Sequence, residues 1–541
     1  MQQKNISVCV LCFLLCLSFT ANAFLLDSPF SPLSSSMGIA ASVGHFFFAD
    51  TANYPSSSST KRRRNKRTKR DKIPKNELKQ HAIEKKLVND AFCAQVLDPL
   101  YVEWPVRPST LHAAALYPPS NPSSTALMPG THKHLGGAYD PTDGTIYGVP
   151  ANAKAILVLQ PIYDDSNKTV VDYRLSHIPL PKTIADTKMK WLRGIVTGGY
   201  LWAIPAWADA VLCVDLDAYW GRRPKSHQGI VQLLPLPDGH ARDMIWQWHG
   251  AGLNIEKTAI YCIPANAQQV LKVDVVTKQT SLIPIQYDPQ RYPNFRLDLG
   301  NKWYGGITGD DNAIYGVCYR SCAVLRIDAK TDTATLIGTD YGTAGFNWHG
   351  GIKVNGKIYA HPSHAPDTVL VIDTRQDGRC YELPIKRASY DTDGRKNFKW
   401  LGGVIGADGN IYCPACDTSS ILKINTETDE CTTFGFAGNE KNKWQGGILG
   451  RDGCIYNIPA SGRHILRIST FDKDFKENPI QLLGNLPPHK DKWQGAGQGL
   501  DGSLYFIPEN GYRVLKVTPP THQPQLVNGK LPEEDVKIAM L

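Results

Sequence analysis

The chain has 541 residues, 42% hydrophobic and 20% charged, the composition of an ordinary soluble protein, and it is long enough for more than one domain. Its formal charge of +9 sits in one place: residues 61–72 (KRRRNKRTKRDK) carry nine basic groups and one acid. The rest is close to neutral, which excludes the basic surface a polyphosphate backbone requires, so no nucleic-acid partner is expected.

The amino terminus comes first. Lys4 precedes an apolar run from Val8 to Thr20, which ends in Ala21-Asn22-Ala23-Phe24. A short apolar core with a small-x-small site predicts a secretory signal peptide over residues 1–23. No later segment approaches about twenty apolar residues, so no membrane span is expected after signal removal. Residues 24–74 are rich in Ser, Pro and Ala and end in the basic run; they predict a disordered transit- or propeptide-like segment. A cut before Phe24, followed by this acid-poor stretch, resembles the bipartite plastid presequence of algae with secondary plastids, and the resemblance implies a plastid destination. Ordinary secretion is the other reading, in which Arg67-Thr68-Lys69-Arg70 suits a subtilisin-like processing protease; a nuclear signal conflicts with the signal peptide. Residues 75–130 predict a helical extension and linker, because Leu78, Ile83, Leu87 and Phe92 recur at helical spacing. That helix is expected to pack on a face of the domain that follows.

From residue 134 to residue 500 one phrase recurs eight times: aromatic, any residue, Gly-Gly or Gly-small, a turn, Ile-Tyr-x-x-Pro, then Val-Leu-x-Ile-Asp. A period of roughly 40–55 residues with several short strands per unit marks a repeat architecture. Asp143-Gly144, Asn355-Gly356, Asp408-Gly409, Asp452-Gly453 and Asp501-Gly502 accept positive φ and predict hairpins between the first and second strands. Proline ends the second strand because it has no amide hydrogen. The Asp closing the third strand (Asp274, Asp328, Asp373) can cap the next turn. A weaker fourth strand follows, as in Thr335-Leu336-Ile337 and Gln481-Leu482-Leu483.

Four antiparallel strands per unit, repeated radially, predict an all-β fold: a β-propeller over residues 131–530, with a tail at 531–541. Eight copies predict eight blades, or seven if the first copy, which lacks the Trp, is displaced. The recurring Trp191, Trp248, Trp303, Trp348, Trp400, Trp444 and Trp493 are expected to wedge between blades, with His134 in the slot of copy one. The recurring Tyr (Tyr147, Tyr261, Tyr315, Tyr359, Tyr412, Tyr456, Tyr505) should pack on the same seam with its hydroxyl at an edge; Trp202 replaces it in copy two. Glycine pairs are expected where backbones approach closely.

The third and fourth strands resemble YVTN-type propeller repeats, which also carry Val-x-Ile-Asp-x-x-Thr. The tandem Trp-x-Gly-Gly…Ile-Tyr-x-x-Pro array is similar to a group of protist and algal repeat proteins with no established activity, which implies the fold and leaves function open. The spacing does not match kelch repeats. The tryptophan docking motif and adjacent Cys pair of quinoprotein dehydrogenases do not occur here.

Candidate function falls on the residue between Trp and Gly, which varies while its neighbours do not: Leu135, Leu192, His249, Tyr304, His349, Leu401, Gln445 and Gln494. Equivalent positions converge at a propeller's channel mouth. The binding candidates are therefore His134, His249, Tyr304, His349, His361, Gln445 and Gln494. No histidine pair has metal-ligand spacing, so no metal or other cofactor is expected, and catalytic residues stay unassigned. Cys413-Pro414-Ala415-Cys416 has the thioredoxin spacing but falls at a strand end, without the helix N-terminus that activates such a thiol. The ten cysteines beyond the signal peptide are irregularly spaced and assign no disulfides.

The expectation is a monomeric, non-catalytic platform for an unknown protein or small-molecule ligand, in a plastid or outside the cell. The alternative is a channel-mouth hydrolase or lyase using His249 and His349.

Overall fold

The computed structural model describes residues 128–540, except 129, 165, 167, 168, 226, 228, 241–243, 344, 365, 366, 390, 392–397, 472–478 and 521–536. The expected signal peptide, the basic segment and residues 75–127 of the expected helical extension lie outside the described residues. What is described is all-β and propeller-like: eight consecutive units, each of four antiparallel strands in sequence order. The first strands begin at His134, Trp191, Trp248, Trp303, Trp348, Val404, Trp444 and Trp493. In unit 6 the first strand is only Val404–Ile405, and Trp400 pairs with Ala415 as an isolated bridge.

The eight units form six sheets rather than eight, because units 3 and 4, and units 5 and 6, are continuous through their fourth strands. The cause is an overhang. The ladder between the third and fourth strands of unit 3 ends at Gln269↔Pro284. Ile285 and Gln286 then run on and pair in parallel with Ala334 and Thr335. In unit 5 the ladder ends at Thr368↔Pro384, and Ile385 and Lys386 pair with Cys431 and Thr432.

A second departure concerns the carboxyl terminus. Lys537–Met540, expected as tail, is the outer strand of unit 8 and pairs antiparallel with Leu515–Thr518. A four-residue strand separated from its partner by a long segment has too little periodicity to be read from sequence. Two single-turn helices, Lys182–Ala185 and Leu216–Tyr219, interrupt the loops around unit 2.

The repeated residues hold the units together. Each Trp is at most 2% exposed and packs on the preceding unit: Trp191 against Tyr147 and Val149, Trp400 against Tyr359 and Val369, Trp493 against Tyr456 and Ile458. Its indole N–H donates to the carbonyl at the start of the third strand of its own unit, at 2.7 Å in Trp303→Ala323 and 2.8 Å in Trp400→Ser420. One residue thereby fills a seam and satisfies its polar atom. Six of the seven Tyr hydroxyls bond carboxylates, and that of Tyr147 accepts the Trp220 indole N–H at 2.9 Å. Tyr315, Tyr412, Tyr456 and Tyr505 reach Asp311, Asp408, Asp452 and Asp501 of their own hairpins at 2.8–2.9 Å. Tyr261 and Tyr359 instead cross to Asp332 (2.6 Å) and Asp429 (2.7 Å) of the next unit. Those two crossings join the units whose sheets merge.

The residue before the Trp repeats as well. Lys133, Lys190, Lys302, Lys399, Lys443 and Lys492 occupy this position and are at most 3% exposed. Their ammonium groups stitch loops: Lys302 donates to the carbonyls of Ala265, Asn266 and Leu299 at 3.0, 3.4 and 3.0 Å. Lys443 reaches Cys416, Thr418 and Glu440 at 3.0, 2.9 and 2.7 Å. A hydrophilic residue beside an aromatic is ordinarily taken for surface, so the sequence reading passed over this ring of cations.

The first glycine of the phrase marks a bulge more than a close approach. Ladder register shifts there, between Trp348 and Gly351 and between Trp444 and Gly447. Gly350 and Gly446 take φ of +65° and +60°, the left-handed geometry of a glycine bulge. The second glycine can be the close contact: a Cβ on Gly306 would lie 2.3 Å from the Ala251 carbonyl carbon of unit 3. Unit 8 packs on unit 1 through Tyr505, Ile507 and Val514 against Ile146, Leu157 and Tyr173, and Met128 N–H donates to Tyr512 O at 2.7 Å.

Candidate functional site

The variable slot follows the Trp position, one residue into the first strand in every unit but unit 6, and all eight of its residues are at most 1% exposed. His249, Tyr304 and His349, from units 3, 4 and 5, stand in a row with ring centroids 4.0 and 5.0 Å apart. His361 joins them 6.1 Å from His349. It occupies a position filled by Val149, Ile204, Ile263 and Ile507 in other units. Its Nε2 accepts the Gly402 N–H at 3.0 Å, so its Nδ1 carries the ring proton. Tyr319 stacks on Tyr304 at 4.4 Å, and Leu401 completes this packed layer.

The remaining candidates sit elsewhere. His134 lies at the unit 1–unit 8 seam, with Nδ1 3.1 Å from Pro508 O. Gln445 donates to Asn442 Oδ1 at 2.5 Å, and Gln494 is buried in the first strand of unit 8.

Burial sets the charge state of these imidazoles. It pulls His134 and His361 down to about 3. It holds His249 and His349 well below their usual value, helped by the charge of Arg193. Burial thus favours the neutral ring in each, with one donor and one acceptor nitrogen.

Arg193 is a departure from the repeat that sequence reasoning passes over. It stands where the other seven units have the bulge glycine, and it keeps the bulge geometry at φ +68°. A side chain in that conformation costs about 1–2 kcal/mol. The residue is 1% exposed and lies against the first strand of unit 1, with Cγ 3.4 Å from where a Cβ on Gly136 would be. The visible signal was Trp191-Leu192-Arg193-Gly194, the one copy in which Arg breaks the Gly-Gly pair.

A second group lies across the unit 8–unit 1 junction. Glu509 Oε1 is 2.6 Å from His132 Nδ1, and Asn442 donates to Asp491 Oδ1 at 2.6 Å. Burial, reinforced by the charge of Glu509, pushes Asp491 up to about 7. Burial also holds Glu509 well above the carboxylate range. Burial thus favours the uncharged forms of both the Glu509 carboxyl and the His132 ring across this short contact. Glu509 replaces the Ala or Ser found after the proline at Ala151, Ala206, Ala265, Ser363 and Ala460, and that replacement was legible in the sequence.

Further aromatic side chains come from the loops between strands, some of them partly exposed. Trp207 meets Trp246 edge-on at 5.8 Å. Tyr319, Phe346, His364 and Phe398 follow one another at 4.5, 4.8 and 4.4 Å, and the Arg320 guanidinium sits 5.6 Å above Phe346. Trp207, Phe346, Arg320 and His364 are half-buried.

The thiols of Cys413 and Cys416 are buried, and burial raises both pKa values, the reverse of an activated thiolate. In unit 6 the proline falls one residue early, at Pro414, so Ala415 takes the usual proline position opposite Trp400 and Cys416 the small-residue position. Among the described residues, no cluster of three or more His, Cys, Asp or Glu side chains is arranged to hold a metal ion.

No family model matches the chain, and no curated protein matches it. Among solved structures it is similar to a streptogramin B lyase at 15% identity and TM-score 0.39, covering 62% of this chain and 93% of that one. It is similar to apo AztD from Citrobacter koseri at 12% and 0.40, covering 66% and 88%. For the RRP9 WD40 repeats the figures are 10% and 0.36, covering 58% and 85%. Likeness at this level carries neither fold nor activity to this chain, whose architecture rests on its own strand pairing.

Proposed function

We propose that the eight units are the eight blades of one closed propeller, and that its loop face is a non-catalytic platform for a protein or small-molecule ligand. The carrying observation is the packed layer: His249, Tyr304, His349 and Leu401 pack into a floor, Phe346 lies against it with Arg320 and His364 at its ring, and we assign the half-buried Trp207 to the same rim. Partly exposed aromatic and Arg side chains over a rigid base are the composition of a binding surface. The compartment belongs to the same proposal: entry through the secretory pathway, then a plastid or the exterior, with the protein acting as a monomer.

The test is a thermal-shift screen of small molecules and peptides on the mature chain, repeated with Trp207→Ala/Phe346→Ala. Hits lost in the double variant support the rim; hits retained place binding elsewhere. Mass spectrometry of each hit after incubation supplies the other arm, since a platform returns its ligand unaltered. A reporter fused to residues 1–75 tests the address, and a nuclear signal would refute it.

An acid–base enzyme is the second reading, and one observation favours it. Glu509 and Asp491 are buried carboxyls with raised pKa values beside His132, the environment in which a carboxyl serves as general acid. Altered ligand in the incubation, abolished by Glu509→Gln, would establish that reading over the platform.

A further inference from the structure

We propose that the platform's ligand is an amine with an aromatic or apolar body, the body on the loop aromatics and the ammonium at the buried carboxyls of Asp491 and Glu509. The inference names the ligand class of the platform and rests on that reading. Aromatic and acidic residues hold the same backbone positions in different units. In all eight units the residue two places before the Trp position accepts a hydrogen bond from the N–H two residues beyond the proline position. Phe346 is bonded in this way to His364 and Phe398 to Asp417, at 3.2 and 3.0 Å; in unit 8 the pair is Asp491 and Asn510, at 3.0 Å. Glu509 likewise matches Tyr319: their N–H groups donate to the Lys492 and Lys302 carbonyls at 3.0 and 2.9 Å. Shared bonding of this kind places both residue types on one set of loops.

The two kinds of residue also meet. Ring contacts run from Tyr319 through Phe346 and His364 to Phe398 at 4.5, 4.8 and 4.4 Å. From Phe398, whose carbonyl accepts the Asp417 N–H, hydrogen bonds carry on. Asp417 Oδ1 accepts the Asn442 N–H at 2.7 Å, and Asn442 Nδ2 donates to Asp491 Oδ1 at 2.6 Å. The Asp491 carbonyl accepts the Asn510 N–H, and Asn510 Oδ1 accepts the His132 N–H at 2.7 Å. His132 Nδ1 then lies 2.6 Å from Glu509 Oε1. An aromatic arc and a carboxyl arc therefore form one connected border, and the half-buried Asn442 and Asn510 mark where the carboxyl arc meets solvent.

The third observation is an unmet acceptor. Glu509 is fully buried, and its Oε2 has no hydrogen-bond partner among the described residues. Lys133 Nζ donates to Gly130 O at 2.9 Å, and Lys492 Nζ donates to the carbonyls of Ala460, Gly462 and His489 at 3.0, 2.8 and 3.1 Å. Among the described residues, neither ammonium forms an ion pair with Asp491 or Glu509. Burial raises the pKa of both carboxyls, as it does for acids held away from water without a paired cation. A ligand ammonium supplies three donors and the missing charge, and it displaces a proton as it binds. Ring faces along the same border suit an aromatic body beside that cation.

The experiment is isothermal titration calorimetry of the full mature chain with tryptamine, indole-3-propionate and butylamine. Wild type should bind tryptamine saturably, and indole-3-propionate, which has a carboxylate in place of the ammonium, at least about tenfold more weakly. Butylamine, which has no ring, should also bind less tightly than tryptamine. At about pH 6, below the value of about 7 to which burial and Glu509 raise Asp491, tryptamine should release about one proton per site, read from the buffer dependence of the heat. Glu509→Gln and Asp491→Asn keep side-chain size and hydrogen-bonding groups, and each should weaken tryptamine about tenfold. Phe398→Leu should weaken tryptamine and leave butylamine unchanged. Equal affinity for tryptamine and indole-3-propionate, no proton release in wild type, no binding of any probe, or unchanged tryptamine affinity in both carboxyl variants would overturn the inference. The platform reading would survive each of those results, because it stands or falls on the rim double variant.

Discussion

Replacing Lys302 by Met tests whether the buried cations stabilise the fold. The Lys302 ammonium gives hydrogen bonds to three backbone carbonyls, of Ala265, Asn266 and Leu299. Burial draws its pKa down to about 7. A neutral amine has only two hydrogens, so satisfying all three carbonyls requires the charged form. Hydrogen bonds to charged groups contribute about 1.5–3 kcal/mol each, and the desolvation of the ammonium offsets several kcal/mol of that sum. Met keeps the packing volume but strands the carbonyls, so the net loss should be about 2–4 kcal/mol. The assay is urea unfolding followed by tryptophan fluorescence. Lys353→Met is the control, because Lys353 pairs with Asp310 near the surface and should cost less than about 1 kcal/mol. A Lys302→Met protein as stable as wild type would show that the cation costs as much as it contributes, and the stitching role would be wrong.

Four further outcomes follow from the packing and the charges. Gly306→Ala should cost several-fold more than Gly409→Ala by urea unfolding: the first Cβ would meet Ala251 backbone at 2.3 Å, while the second, at φ +78°, meets nothing within 4 Å and costs about 1 kcal/mol of conformational strain. Asp452→Ala removes the partner of Tyr456 (2.9 Å) and of the buried Arg467 (3.2 Å), and calorimetry should read a loss of about 3–5 kcal/mol. Cys413 and Cys416 should resist alkylation by iodoacetamide in the native protein and react after denaturation, read by mass spectrometry.

The fourth outcome concerns pH. Asp491, surrounded by Glu509, His132, Lys492 and Asn442, has its pKa raised from 3.8 to about 7. The folded state keeps a proton that the unfolded chain releases above its own value. The stabilisation from this group is therefore complete below about pH 4 and lost as pH climbs toward 7. The stability gap between wild type and Asp491→Asn should shift toward the variant across that window. A gap independent of pH would place Asp491 ionised throughout.

The period, the Trp wedges, the Tyr-x-x-Pro strands and the Asp-capped turns were legible because each comes from local geometry that every unit repeats. Asp274, for example, accepts from Val276 and Thr277 N–H at 2.9 and 2.7 Å, as its place after a strand implied. His249, Tyr304, His349 and His361 were also picked from the repeat, and these four do gather. What the repeat hid were its own constants and its rarest exception. A lysine before five of the seven recurring tryptophans reads as surface until the neighbouring unit buries it. An arginine in a glycine slot reads as noise until the bulge geometry shows that its backbone is held in a conformation that disfavours side chains.

Sequence by itself determined the repeating unit, since strand, turn and wedge depend on residues within one copy and its immediate neighbour. Only the tertiary structure decided how units meet: sheets merging where Ile285 and Ile385 overrun their ladders, a distant Lys537–Met540 completing unit 8, and carboxyls of Glu509 and Asp491 whose pKa values burial raises. These outcomes depend on contacts between residues far apart in the chain, and on desolvation that exists only once those contacts form.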